Sequence, residues 1–356
     1  MEMDASLLIG LERYDEAEDA LRASLRSAQA ADDRAEVSRA LEALGVVATR
    51  RGNDDQALDF FRQAVSAGGY PDPVERSELY YELARLTSAA GDPAAAAKLL
   101  QGCLERIRRD SPDALDAIAR YSYVLSYAYT DAGDYAAAAA VLARVLREGG
   151  EEIGLDLRAT VFYALGRLHN ALGQYQLALQ YCRSCLEIRI RQGRSYIVGD
   201  THMHVASVLL SLGETEEAAE HLVEARACYG SSLGPIDEGI LFVEEARLAL
   251  LEDRADDGVE TARRAVELLA SGAAVGELGL ANQVLARGYA TLGDQQRADA
   301  AYSAAIGLLR RQNGWRAELA RAYREYAGFL RQCGRNEAAL DAYATAADVG
   351  DGLPET

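Results

Sequence analysis

The residues best suited to chemistry in this chain are Cys182 and Cys185, in the string Tyr181-Cys182-Arg183-Ser184-Cys185. A CxxC pair can be redox-active or form half of a zinc site. A zinc site needs a second such pair, and the sequence holds none. His202 and His204 flank Met203, and residues two apart on a helix point about 200° apart. They cannot chelate one metal from a regular helix, and no His-x-x-x-His occurs. Carboxylate pairs such as Glu151-Glu152, Glu216-Glu217 and Glu244-Glu245 read as solvated faces of an acidic chain. No Gly-x-x-x-x-Gly-Lys-Ser/Thr, Gly-x-Ser-x-Gly or strand-linked Gly-x-Gly-x-x-Gly is present, so ATPase, esterase and dinucleotide readings lack support. The expectation is a protein that is not an enzyme and uses no metal and no cofactor.

Composition narrows the class further. Of 356 residues, 49% are apolar and 26% charged, which fits a folded chain and excludes disorder. Lys and Arg number 37 against 56 Asp and Glu, a formal net charge of −19. Nucleic acid and anionic membranes need clustered positive charge, so neither is an expected partner of this chain. No apolar run approaches the length of a membrane span, and Met1-Glu2-Met3-Asp4 does not open a signal peptide. Five cysteines make an odd, sparse set, which favours the cytoplasm over a disulfide framework.

The elements that must position any site come from a repeat. Ala17, Ala57, Ala96, Ala138, Ala178, Ala218, Gly258, Ala298 and Ala339 recur at spacings of 40, 39, 42, 40, 40, 40, 40 and 41. Five places earlier stands Gly52, Gly91, Gly133, Gly173, Gly213, Gly293 or Gly334, with Glu12 and Asp253 as exceptions. A glycine between two apolar-periodic stretches suits the left-handed end of a helix. Each unit therefore reads as helix A, a tight turn, helix B and a looser link. Gly45, Ala84, Ser126, Gly166, Ala206, Ala246, Ala286 and Ala327 form a small slot in helix A that lets helix B approach. Cys103 and Cys185 fill a second small slot in helix B, so the CxxC reads as core packing. No alternation long enough for a strand occurs. The chain is predicted to be all-α.

These residues resemble the tetratricopeptide repeat (TPR) family, whose helix pairs carry Leu-Gly, Tyr, a turn Gly, Tyr-x-x-Ala and a later small residue. The period exceeds the family's usual value of about 34 and looks more like the MalT-like TPR region of bacterial transcriptional regulators. No unit has the family's Trp, and most lack its helix-ending Pro. The resemblance implies a right-handed superhelical solenoid of antiparallel helix pairs over residues 1–349. A leading helix B falls at about 13–30. Eight pairs follow at about 34–67, 74–109, 113–148, 154–192, 196–230, 235–271, 274–312 and 314–349, then a flexible tail at 350–356. The unit near Met1 lacks a full helix A, as though the array were entered part-way. TPR regions of this look often follow a helix-turn-helix domain, and nothing in residues 1–356 reads as one.

By the same resemblance, helices A line a concave groove and the residue ten places before the turn faces it. That row includes Tyr81, Tyr123, Tyr163, Met203, Val243, Gln283 and Arg324. The row one turn later includes Arg85, Tyr127, Arg167, Ser207, Arg247, Arg287 and Gly328. Tyr and Arg supply binding energy at desolvated interfaces. Glu82 and Glu244 stand three residues before Arg85 and Arg247 and can neutralise them locally, whereas Arg167 and Arg287 have no acid three or four places away. The expected ligand-binding residues are Tyr81, Arg85, Tyr123, Tyr127, Tyr163, Arg167, Asn170, Met203, Arg247 and Arg287, with Asn170 clamping a peptide backbone. The seventh unit, with Asp253, Gly258 and Glu245 out of pattern, reads as a degenerate repeat or a soft joint. The functional expectation is a protein- or peptide-binding module holding an extended segment with a carboxylate, as the ligand-sensing part of a bacterial regulator. The alternative is a constitutive scaffold for complex assembly.

Overall fold

A computed structural model of the chain describes residues 5–271, 274–312 and 314–350. Met1–Asp4, Gly272 of the Ser271-Gly272 link and the expected tail beyond Gly350 lie outside the described residues. Among the described residues all regular structure is helical. The chain divides into two compact units, Met1–Tyr129 and Thr130–Thr356. The first holds α1 (Ala5–Gly10), α2 (Tyr14–Ala30), α3 (Arg34–Arg50), α4 (Asp54–Ala67), α5 (Ser77–Ala89), α6 (Pro93–Asp110) and most of α7 (Leu115–Asp131). The second opens with α8 (Tyr135–Gly149), α9 (Leu155–Ala171), α10 (Tyr175–Gln192), α11 (Ser195–Leu212) and α12 (Thr215–Tyr229). It continues with α13 (Pro235–Leu251), α14 (Ala255–Leu269), α15 (Val275–Thr291), α16 (Gln295–Leu309), α17 (Arg316–Gln332) and α18 (Asn336–Val349). No described helix is long and apolar enough to cross a membrane.

Local chemistry explains the boundaries. Asp33, Asp92, Asp134 and Asp294 each accept a hydrogen bond from the backbone N–H three residues on, satisfying an orphan donor of α3, α6, α8 and α16. Pro93 opens α6 and Pro235 opens α13, where a missing N–H costs nothing. The turn between paired helices has positive φ in every unit, including Glu12 and Asp253 at 59° each. The non-glycine units thus hold the same left-handed turn.

Packing follows the small slots. Ala17, Ala57, Ala96, Ala138, Ala178, Ala218 and Ala298 are all 0% exposed. A Cβ on Gly166 would lie 2.5 Å from Cys182 Sγ, and one on Gly45 would lie 2.7 Å from the Phe61 ring. Those glycines are where helix B's larger side chains enter. Before the expected leading helix B, α1 supplies Leu8 to an apolar cluster with Leu21 and Leu44. The seventh unit is packed like its neighbours, with Val259, Ala262, Ala265 and Leu269 buried along α14. Glu245 finds a partner in Arg226 at 2.7 Å, so the out-of-pattern carboxylate is neutralised on the surface.

Candidate functional site

The second unit carries a concave cavity of 670 Å³ lined by α9, α11, α13, α15 and α17 together with Tyr175 and Tyr302. These are the helices A of successive repeats, so the 40-residue period places equivalent positions side by side. Asn170, Arg247 and Arg287, three of the predicted site residues, line it together. Their states differ. Arg247 is consumed by Glu244 at 2.5 Å and by the hydroxyls of Ser207 and Ser211 at 3.0 and 3.1 Å. The Arg287 guanidinium makes no ion pair or hydrogen bond among the described residues, although the residue's carbonyl accepts the Thr291 hydroxyl at 3.0 Å. Asn170 buries Oδ1 without a hydrogen-bond partner. A buried polar group left unpaired costs roughly 1–3 kcal/mol, which a ligand donor can recover.

The other predicted residues sit elsewhere. Tyr163 is wedged between neighbouring repeats, with the Arg189 guanidinium 4.7 Å from its ring centre and the His204 ring 5.0 Å away. Burial pushes the Tyr163 hydroxyl well up, and Asp200, its hydrogen-bond partner, is raised by burial too. Arg167 is exposed, and its charge acts on Tyr163, Asp200 and His204. Met203 is a core residue at 9% exposure, and its sulfur accepts the Tyr229 hydroxyl at 4.0 Å. Its row position therefore packs into the second unit and does not present to the groove.

In the first unit Tyr81 packs against Tyr121 with the rings tilted and their centres 4.7 Å apart, and it buries an unpartnered hydroxyl. Tyr123 and Tyr127 bring their hydroxyls to 2.9 Å, with Tyr127 42% exposed. Arg85 is spent on Glu82 at 2.8 Å. The second unit's cavity thus receives none of the four.

Sequence reasoning missed Glu244, Glu318, Arg321 and Glu325 as cavity residues. Glu244 and Glu325 belong to the row nine places before the turn, one residue beyond the row chosen. On α13 and α15 the cavity draws on two adjacent rows, Val243 with Glu244 and Gln283 with Val284. The cysteines stay in the core: burial raises the Cys182 thiol to about 12 and the Cys185 thiol to about 11. The five cysteines are all free. His202 Nδ1 meets His221 Nδ1 at 2.8 Å while His204 faces Tyr163, so the two histidines point to different partners. Among the described residues no group of three or more His, Cys, Asp or Glu is placed to hold a metal ion.

A family description, Tetratricopeptide repeat, matches residues 5–67 and 157–231. Those two segments are tetratricopeptide repeats, and the helix pairs between and after them have the same form. No curated protein matches the sequence. The chain is similar in fold to the apo form of RapI, with a TM-score of 0.60 and 15% identity over 89% of this chain and 98% of that one. It is similar to aspartyl phosphate phosphatase F from Bacillus subtilis, with a TM-score of 0.65 and 15% identity over 80% and 73% of the two chains. NprR, solved in complex with its cognate peptide NprX, has a TM-score of 0.55 and 15% identity over 73% and 77%. At such identities these likenesses show the fold.

Proposed function

We propose that the TPR array binds a peptide or an extended segment of a partner protein in the cavity of the second unit, with a ligand carboxylate on Arg287. The observation that carries this reading is a guanidinium without a partner that lines the same cavity as Asn170, whose amide oxygen is buried and unpaired. A guanidinium fork holds a carboxylate through two parallel hydrogen bonds. The cavity's 670 Å³ lies within the range of about 300–1,000 Å³ typical of ligand sites. NprR binds its peptide NprX on a similar fold, which supports the same use here. The role is ligand sensing within a cytoplasmic bacterial regulator, without catalysis, cofactor or nucleic-acid contact by this chain.

The test is a screen of free hexapeptides against the purified chain, followed by titration of the tightest binder. Losing a buried ligand-facing Arg costs about 2–5 kcal/mol. Arg287→Ala is expected to weaken binding by about 30-fold or more while helicity by circular dichroism stays unchanged. Equal affinity in the variant would move the site off the concave face.

A further inference from the structure

We infer that the ligand of this cavity is dipolar, placing a cationic group against α17 while its carboxylate sits against α15. The inference rests on the peptide-binding reading above and adds the second charge. With Arg247 and Glu244 paired to each other, four charged residues remain in the lining: Arg287, Glu318, Arg321 and Glu325. No ion pair joins any of these four among the described residues. Arg321 has Glu318 three places before and Glu325 four places after, the spacing at which helix neighbours normally pair. Even so, its guanidinium stays more than 4 Å from both.

The distribution of sign is not uniform. The α15 wall carries Arg287 alone, a charge of +1. The α17 wall carries Glu318 and Glu325 against Arg321, a charge of −1. The cavity is therefore neutral overall and polarised from one helix A to the next, inside a chain whose formal charge is −19. Burial raises the Tyr302 hydroxyl most, and the residue also lies in the field of both ends, with Glu325 raising it further and Arg287 lowering it.

Two further groups point to an occupant that donates hydrogen bonds. Glu325 buries Oε2 without a partner while its side chain lines the cavity. The terminal torsion of Glu is broad and two-fold, so the two oxygens exchange readily. A carboxylate with one oxygen shut off from water gains from a cation that brings its own N–H groups. Gln283, only 5% exposed, lines the same cavity, and its side-chain amide has no hydrogen-bond partner among the described residues. Its amide can accept from one ligand peptide group and donate to another. An ammonium or guanidinium side chain a few residues from a carboxylate satisfies all of these at once. A purely acidic segment would leave Glu325 unpaired and meet repulsion from α17.

The experiment uses acetylated hexapeptides with free C-termini in which one Lys is moved through each position. A matched set replaces Lys by norleucine, which keeps the length and removes the charge. Titrations are run on the full chain and on Glu325→Gln, an isosteric change, with Glu318→Gln as a second variant. The expected result is at least a tenfold preference for Lys over norleucine at one position, falling below twofold in Glu325→Gln. Norleucine peptides binding the parent as tightly as Lys peptides would overturn the inference and leave the peptide reading standing. A Lys preference undiminished in both variants would overturn it too. Absence of binding by any peptide would overturn the peptide reading itself.

Discussion

Each of the four histidines in this chain is held below its ordinary titration range, in every case chiefly by burial. His204 is the extreme, held down to about 3 with a buried Nε2 that has no partner. His202 and His221 share one short Nδ1 contact, so protonating both would set two donors against each other. A folded-state value below the unfolded value means the unfolded chain binds protons first. Stability is thus complete above about pH 6.5 and lost as pH falls below it, with His204 alone costing about 2 kcal/mol by pH 5. Urea melts at pH 7.5, 6.5, 5.5 and 5.0 should show a falling midpoint, and His204→Phe should flatten the slope. A midpoint that ignores pH over that range would contradict the burial of these rings. The single-residue reading of sequence is sound where a side chain's fate depends on its own helix. Arg85 and Arg247 were legible as pairs of Glu82 and Glu244 for that reason. Tyr163 was not, because Arg189 and Asp200 reach it from α10 and α11, and no spacing within α9 reports that.

The helix-turn-helix pair is the element on which the fold is written, and its turn is the most legible part of the sequence. Seven glycines mark it directly. Glu12 and Asp253 adopt the same positive φ without the freedom of glycine, because the helices on either side are already fixed by packing. A non-glycine residue there costs roughly 1–2 kcal/mol, and part of the gain from glycine is lost to unfolded-chain entropy. Asp253→Gly is therefore expected to stabilise the protein by about 0.5–1 kcal/mol, read as a higher urea midpoint. Glu12→Gly should change it in the same direction. Destabilisation by both would mean that the acidic side chains contribute something the backbone geometry does not show. The seventh unit is thus strained at one residue, yet its helices are closed. A Cβ at Gly258 would meet Leu250 at 2.8 Å, so the glycine is the site of a close contact and not a loose joint. The sequence could not distinguish these uses, since a degenerate slot and a filled one look alike until the neighbouring Leu is placed.

In an ideal solenoid each repeat touches only its neighbours, and damage to one unit stays local. Residues 130–350 depart from that rule. Tyr135, 2% exposed at the start of α8, donates its hydroxyl to the Gly314 carbonyl at 3.0 Å and accepts the Ala317 N–H at 3.2 Å. These partners lie 179 and 182 residues away in sequence. Arg316 reaches the Ala132 carbonyl at 3.4 Å, and Gly133 leaves it room, since a Cβ there would lie 2.3 Å from its Nη1. Neither contact follows from a 40-residue period, because the period specifies nearest neighbours and says nothing of repeats five units apart. The closure also matters for the cavity, since it fixes the first turn of α17, the helix that presents Glu318, Arg321 and Glu325. Tyr135→Phe keeps the ring and removes both hydrogen bonds, leaving buried backbone groups unpaired at roughly 1–3 kcal/mol each. Hydrogen exchange should then rise at residues 131–136 and equally at 314–318, although the two segments share no repeat. Faster exchange confined to the neighbourhood of residue 135 would mean that the array behaves as a chain of independent neighbours, and that the α17 wall of the cavity is anchored by α15, α16 and α18 alone.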